Sequence, residues 1–481
     1  MRVLFAIDPS IAHLYPMVPT AWALQSAGHE VRLASPAAFA DEIAATGLTP
    51  VPLGDAVWAA RVSDDPLEPR GHVEAERYAD ALGLHVEERE YWYLFFQYLM
   101  TPTADYLRPD RPEADALIDF ARAWRPDLVI WDLTQAAGAV AARVSGAAHA
   151  RLVFAYDPSG WSLDRLAAGR QALAAAGLDE NPLATLVRPL AERYGVEVDD
   201  ELLVGQWTLD TAPPGLELPT RTRKVPLRYV PYNGAAPVPD WLREPAERPR
   251  ICLTLGESYR RFIRGDWNRT PMLLEALADL DVEVVATLND VQLDGRVPPP
   301  NVRTLDYLPL NLILPTCAAV IHHGGLGTFQ AAVAARVPQL VCDTRESIML
   351  RMEEDTSVEL TDGDTSAELT DETGIYRSGV EYGVRELDAR EQRPAVRWVM
   401  PAKKLEATPV ANYVVSRGAG VRLNHQTQSV TELREAIRTV LDDASYRRGA
   451  EAIYDVWRAM PSPNDVVSVL ESLTGDARNR R

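Results

Sequence analysis

The sequence predicts an α/β protein made of two doubly wound, Rossmann-like halves facing each other across a cleft. Three observations predict it: short apolar runs alternate with helix-length periodic segments from the first residues, a proline-rich stretch interrupts that alternation, and the alternation then restarts. Such a pattern implies parallel strands, because a parallel crossover needs a helix's length of chain between them.

Val3 to Ile7 is a short apolar run with the character of a buried strand. Met17 to Ala27 has helical periodicity closed by Gly28, and Glu30 to Ala34 opens a second strand before Pro36. The pattern returns at Asp127 to Trp131, in an alanine-rich helix ending near Gly146, and at His149 to Phe154. Residues 1–212 are therefore assigned to a first domain. Prolines from Pro213 to Pro249 break every candidate element, so residues 213–249 read as an interdomain linker.

Strands Ile251 to Leu255, Val282 to Thr287, Ala318 to His322 and Gln339 to Cys342, with helices Pro271 to Leu280 and Thr328 to Ala335, define a second domain over residues 250–445. Within it, residues 344–406 are dense in charge and weak in apolar periodicity, and carry a short tandem repeat over Thr356 to Asp371. An inserted loop, hairpin or mobile lid is expected there, with the repeat outside the cleft. Helices resume at Thr408 to Arg417, Thr431 to Leu441 and Tyr446 to Met460; residues 446–481 are expected to pack back on the first domain.

At ~150 residues per domain, 481 residues suit two or three domains. With 47% hydrophobic and 25% charged residues, wholesale disorder is excluded. The 69 acidic residues outnumber 49 basic ones, a net charge of −20 that argues against broad binding to nucleic acid or membrane surfaces. Cys252, Cys317 and Cys342 lack the spacing of a disulfide framework or a zinc site. No run reaches the ~18 apolar residues of a membrane span and no signal peptide is evident, so a cytoplasmic location is expected.

The strongest chemical signal is Val320-Ile321-His322-His323-Gly324-Gly325-Leu326-Gly327-Thr328, a strand entering a glycine-rich turn that opens a helix. Glycines admit a ligand close to the backbone and the first N–H groups of a helix attract an anion, so the arrangement suits phosphate. Each histidine could donate a hydrogen bond to a diphosphate oxygen. A tight connection alone would also use such a turn. His13 follows the first strand in a loop, where an imidazole can act as a general base. Asp132 ends a strand and could orient His13 or simply cap a helix.

This turn resembles the donor-binding signature of the GT-B glycosyltransferases that decorate macrolide and aromatic polyketide antibiotics. Ala12-His13-Leu14, Ala27-Gly28-His29-Glu30-Val31, Leu128-Val129-Ile130-Trp131-Asp132, Leu253-Thr254-Leu255-Gly256, Val337-Pro338-Gln339-Leu340 and Arg417-Gly418-Ala419-Gly420 are similar to the same family in the same order. The resemblance covers nearly the whole chain except the charged insert. It implies an inverting enzyme with an acceptor-binding first domain and a nucleotide-sugar-binding second domain. His13 would be the general base, and His323 would hydrogen-bond the donor diphosphate beside Gly325, Gly327 and Thr328. Ser258 would touch phosphate, Tyr307 and Leu308 would hold the nucleobase, and Asp343 would meet sugar hydroxyls. Leu310 stands where many relatives have a glutamine.

The implied donor is a thymidine diphosphate deoxysugar and the acceptor a polyketide-type aglycone, with no resident metal or cofactor. A helper protein resembling a cytochrome P450 is a further implied partner, and a homodimer stays open. The aromatic run Tyr91 to Met100 could line an aglycone pocket, contact a partner or be a buried helix. Asp362-Gly363-Asp364 reads as solvated surface rather than a metal motif. Two alternatives of the same fold are a nucleotide-sugar 2-epimerase and a catalytically silent binding protein.

Overall fold

The computed structural model describes residues 1–54, 72–109, 111–154, 156–256, 263–265, 269–293, 295–343, 345–350, 398–403 and 407–479. The chain divides into two compact units, Met1–Tyr232 with Met460–Arg481, and Asn233–Ala459.

In the first unit, β1 (Arg2–Ala6), β2 (Glu30–Pro36), β3 (Thr49–Leu53), β4 (Leu128–Asp132), β5 (Ala148–Val153), β6 (Trp207–Asp210) and β7 (Lys224–Pro226) form one sheet in the order β3-β2-β1-β4-β5-β6-β7. Every pairing in it is parallel. Leu128 to Asp132 are all buried, as a strand covered on both faces requires. Helix Ile11–Ser26 packs beside helix Pro463–Asn479. Leu14, Val18 and Leu24 join Phe5, Ile130, Val466 and Leu470 in a single apolar core.

That first helix begins earlier than its periodicity suggests. It runs through Pro16 and Pro19, so His13 stands in a helical turn and not in a loop. Each proline removes one backbone donor, but burial of Leu14, Met17, Val18, Ala21 and Leu24 outweighs the loss. Ser10 starts the helix by accepting the Ala12 N–H at 3.3 Å.

The proline-rich segment also departs from the expected linker. Its residues Lys224–Pro226 form β7 at the sheet edge, where the missing proline donor is tolerated, and Leu216, Leu218, Leu227 and Tyr229 are buried. The first unit accordingly extends to Tyr232. At the other end, helix Ala444–Ala459 stays with the second unit, against helix Leu326–Ala335, and the chain rejoins the first unit only from Met460. The segment 446–481 is thus split between the units rather than packing back as one piece.

The second unit contains β8 (Arg250–Thr254), β9 (Ile263–Gly265), β10 (Glu283–Thr287), β11 (Val302–Thr304), β12 (Ala319–His322), β13 (Gln339–Cys342), β14 (Arg345–Leu350), β15 (Trp398–Lys403) and β16 (Gly420–Leu423). Its main sheet is parallel, in the order β11-β10-β8-β12-β13-β16. A smaller antiparallel sheet, β15-β14-β9, uses both described ends of the charged insert, with Arg345 opposite Lys403 and Leu350 opposite Trp398. The tandem repeat and Asp362-Gly363-Asp364 lie outside the described residues. Among the described residues, no helix is long and apolar enough to cross a membrane.

Leu470 is fully buried in the first core although it comes from the far end of the chain. Leu470→Ala should therefore destabilise that unit by about 2–5 kcal/mol, the usual range for a buried leucine truncation. A urea unfolding curve with an unchanged midpoint would show that the helix contributes little to the core.

Candidate active site

Two groups of side chains stand at the carboxyl ends of the parallel strands, one in each unit. In the first unit, β1 and β4 are neighbours with Ala6 opposite Trp131. Asp132 therefore ends its strand beside the turn that leads into helix Ile11–Ser26. His13 Nδ1 donates to Asp132 Oδ2 at 2.7 Å. The other carboxylate oxygen accepts the Thr134 N–H at 2.9 Å and the Thr134 hydroxyl at 2.8 Å. Asp132 thus both shapes its own turn and orients the imidazole.

The carboxylate is fully buried, whereas the His13 side chain is 25% exposed. An ionised carboxylate only accepts, so Nδ1 carries the proton of this hydrogen bond. The Phe154 ring meets the imidazole edge-on at 5.1 Å.

Sequence reasoning missed a second carboxylate in this place. Asp8 lies two residues beyond β1, in the turn where its carbonyl accepts the Ser10 N–H at 2.7 Å. Burial, the largest influence, pushes its carboxyl above the ordinary value of 3.8; His13 pulls it down, Asp132 raises it, and Arg111 and Gln135 lower it. Its position at the end of a parallel strand was the available signal.

The aromatic run is mostly core. Trp92, Tyr93, Leu94, Phe95 and Phe96 are buried, and Leu94–Leu99 forms a π-helical turn. Tyr91 points differently, with its ring 5.8 Å from both Tyr156 and Trp161.

In the second unit, β12 runs into the glycine-rich turn and helix Leu326–Ala335. The two adjacent histidines have different roles. His322 Nδ1 accepts the Gly324 N–H at 3.1 Å, so its Nε2 donates to Gln339 Oε1 at 3.0 Å. Both ring nitrogens serve the fold, and the expectation that each histidine could donate to a diphosphate is corrected for His322. His323 instead lies over Gly256 at the end of β8, where a Cβ would come within 2.4 Å of its ring. Gly324 has φ +83°, and a Cβ there would meet Ala407 at 2.5 Å.

Gly325 caps the helix, Gly327 is exposed in its first turn, and Thr328 is buried. The first N–H groups of such a turn have no intrahelical acceptor and form an anion-attracting end.

Asp343 stands at the end of β13, and the pairing of His322 with Val341 brings it to the same sheet edge as His323. It is buried, accepting from Thr408 Oγ1 at 2.8 Å and pairing with Arg422 Nε at 3.2 Å. Thr408 and Arg422 come from beyond the insert and carried no sequence signal. Leu308 packs with Cys252, Val285 and Val320 in the core beneath the turn. Tyr307 is exposed, with its hydroxyl donating to the Asn233 carbonyl at 2.5 Å. Ser258 lies outside the described residues. Among the described residues, no group of three or more His, Cys, Asp or Glu side chains could hold a metal ion.

Residues 22–256 match the erythromycin biosynthesis protein CIII-like N-terminal domain, and residues 271–372 match the corresponding C-terminal domain. The chain is 37% identical to aclacinomycin-T 2-deoxy-L-fucose transferase of Streptomyces galilaeus, over 100% of this chain and 98% of that protein. It is 36% identical to 10-deoxymethynolide desosaminyltransferase of Streptomyces venezuelae, over 99% of this chain and 98% of that one. Among solved structures, the glycosyltransferase VinC in complex with DTDP matches with a TM-score of 0.70 and 30% identity, over 100% of both chains. Full-length similarity to sugar transferases, together with two parallel-sheet units of GT-B type, makes this chain a member of the erythromycin biosynthesis protein CIII-like family of glycosyltransferases.

Proposed function

We propose that the protein is an inverting glycosyltransferase that moves a deoxysugar from a thymidine diphosphate donor to a hydroxyl of a polyketide-type acceptor, with His13 as general base. The observation that carries this reading is the buried Asp132 carboxylate holding His13 Nδ1 at 2.7 Å while the imidazole remains partly exposed. That arrangement leaves Nε2 as the proton acceptor. The sugar transfers for which the two transferase relatives are named and the DTDP bound to VinC support the choice of substrates.

In this mechanism the acceptor O–H gives its proton to His13 Nε2 as the oxygen attacks the anomeric carbon. The bond from that carbon to the diphosphate oxygen breaks, and its electron pair leaves with the diphosphate. Asp132 stabilises the imidazolium that forms and keeps the ring from rotating. His323 and the N–H groups opening helix Leu326–Ala335 meet the leaving group's negative charge, so no resident metal is called for. Asp343 contributes hydrogen bonds to sugar hydroxyls from a position set by Thr408 and Arg422.

The direct test supplies thymidine diphosphate deoxysugars with 10-deoxymethynolide or an anthracycline aglycone and follows the product by mass spectrometry. Conversion of the nucleotide sugar without acceptor would instead favour an epimerase.

His13→Ala should lower kcat by about 10²–10⁴-fold, the usual worth of a general base, with donor affinity nearly unchanged. His323→Ala should show the reverse emphasis, weakening donor binding by roughly 10–100-fold through loss of a charge-assisted hydrogen bond. Full turnover by the His13 variant at neutral pH would remove His13 from the mechanism.

The raised Asp8 carboxyl adds a pH dependence. The folded state holds this proton more tightly than the unfolded chain does, so the group's contribution to stability falls as pH rises from 3.8 through the raised folded value. Asp8→Asn should therefore raise the urea midpoint at neutral pH, and the gap should close as pH falls toward the ordinary carboxyl range. An equal or lower midpoint at neutral pH would show that Arg111 and His13 stabilise the ionised form outright.

A further inference from the structure

Apart from the candidate active site, the second unit has a cavity of about 860 Å³ at the outer edge of β16. Its walls come from the end of helix Ala407–Ser416, the turn into β16 and the start of helix Ala444–Ala459. Three arginines line it, Arg417, Arg422 and Arg448, and no Asp or Glu does. This stands out in a chain where acidic residues outnumber basic ones by 69 to 49. Like charges gathered around one concavity repel, and the field they focus there favours an anion.

Two of the three guanidinium groups, those of Arg417 and Arg422, are held rather than loosely displayed. Arg422 pairs through Nε with Asp343 at 3.2 Å and donates through Nη2 to Asn412 Oδ1. Its Nη1 makes no hydrogen bond among the described residues. Arg417 lies over the Tyr413 ring at 5.1 Å. A Cβ on Gly449 would come within 2.1 Å of the Gly418 carbonyl oxygen, so helix Ala444–Ala459 crosses directly on the turn that carries Arg417 and brings Arg448 to it. Such prior ordering lowers the cost of binding.

The volume falls in the range of small-molecule sites, roughly 300–1,000 Å³, and exceeds the needs of a lone phosphate ion. Val415, Val421 and Tyr446 add an apolar wall. The groove opens beside Gly418 and Gly420, at the amino end of β16, whereas His323 and Asp343 stand at the carboxyl ends of β12 and β13.

We propose that this groove is a second anion-binding site, separate from the candidate donor site, for a phosphorylated organic molecule. Arginines hold the phosphate and the apolar wall takes the organic body.

The test titrates ATP by calorimetry into full-length protein already saturated with thymidine diphosphate, which occupies the candidate donor site. One further ATP should bind. The affinity should fall at least tenfold in Arg417→Ala/Arg448→Ala, with thymidine diphosphate binding unchanged as the check on folding. Arg448→Gln alone, at an exposed position, should weaken ATP in the same direction. Inorganic pyrophosphate should bind at least tenfold more weakly than ATP. No ATP binding to the saturated protein, or an unchanged affinity in the arginine variants, would overturn the proposal. Equal affinities for ATP and pyrophosphate would overturn the role given to the apolar wall.

Discussion

A parallel sheet delivers the last residue of every strand to one edge, and that constraint assembles both groups of candidate site residues. Asp132 closes β4 while Asp8 and His13 follow the neighbouring β1, so residues 119 positions apart in sequence meet in a 2.7 Å hydrogen bond. In the second unit the same geometry brings Gly256, His323 and Asp343 to the ends of β8, β12 and β13. Helices restart at that edge, and their first N–H groups remain without intrahelical acceptors. Polar chemistry therefore collects there while the strands themselves stay apolar.

Packing then decides how each polar group is engaged. His322 and His323 are adjacent in sequence and identical in type, yet the first ends β12 and the second stands in the turn that follows it. The first is consumed between Gly324 and Gln339, and the second lies over a glycine that leaves room for its ring. Asp343 is partly committed in the same way. Its partner Arg422 also lines the basic groove at the sheet edge, so one guanidinium is shared between a site residue and that groove.

Proline shows how tertiary burial overrides local preference. Pro16 and Pro19 each remove a helical hydrogen bond, yet the helix that carries His13 passes through both because its apolar residues pack into the core. Had the helix begun only at Met17, His13 would lack the first-turn position from which it reaches Asp132.

By itself the sequence determined the alternation of strand and helix, the two-part organisation, the glycine-rich turn and the candidacy of His13, Asp132 and His323. These are legible because periodicity and turn chemistry act over a few residues. Tertiary structure alone decided the place of Asp8, the engagement of His322 with Gln339, the hold of Thr408 and Arg422 on Asp343, and the inclusion of Lys224–Pro226 in the first sheet. Each depends on strand order and register, which join residues far apart in the chain, and no local pattern encodes which strand end will lie beside which.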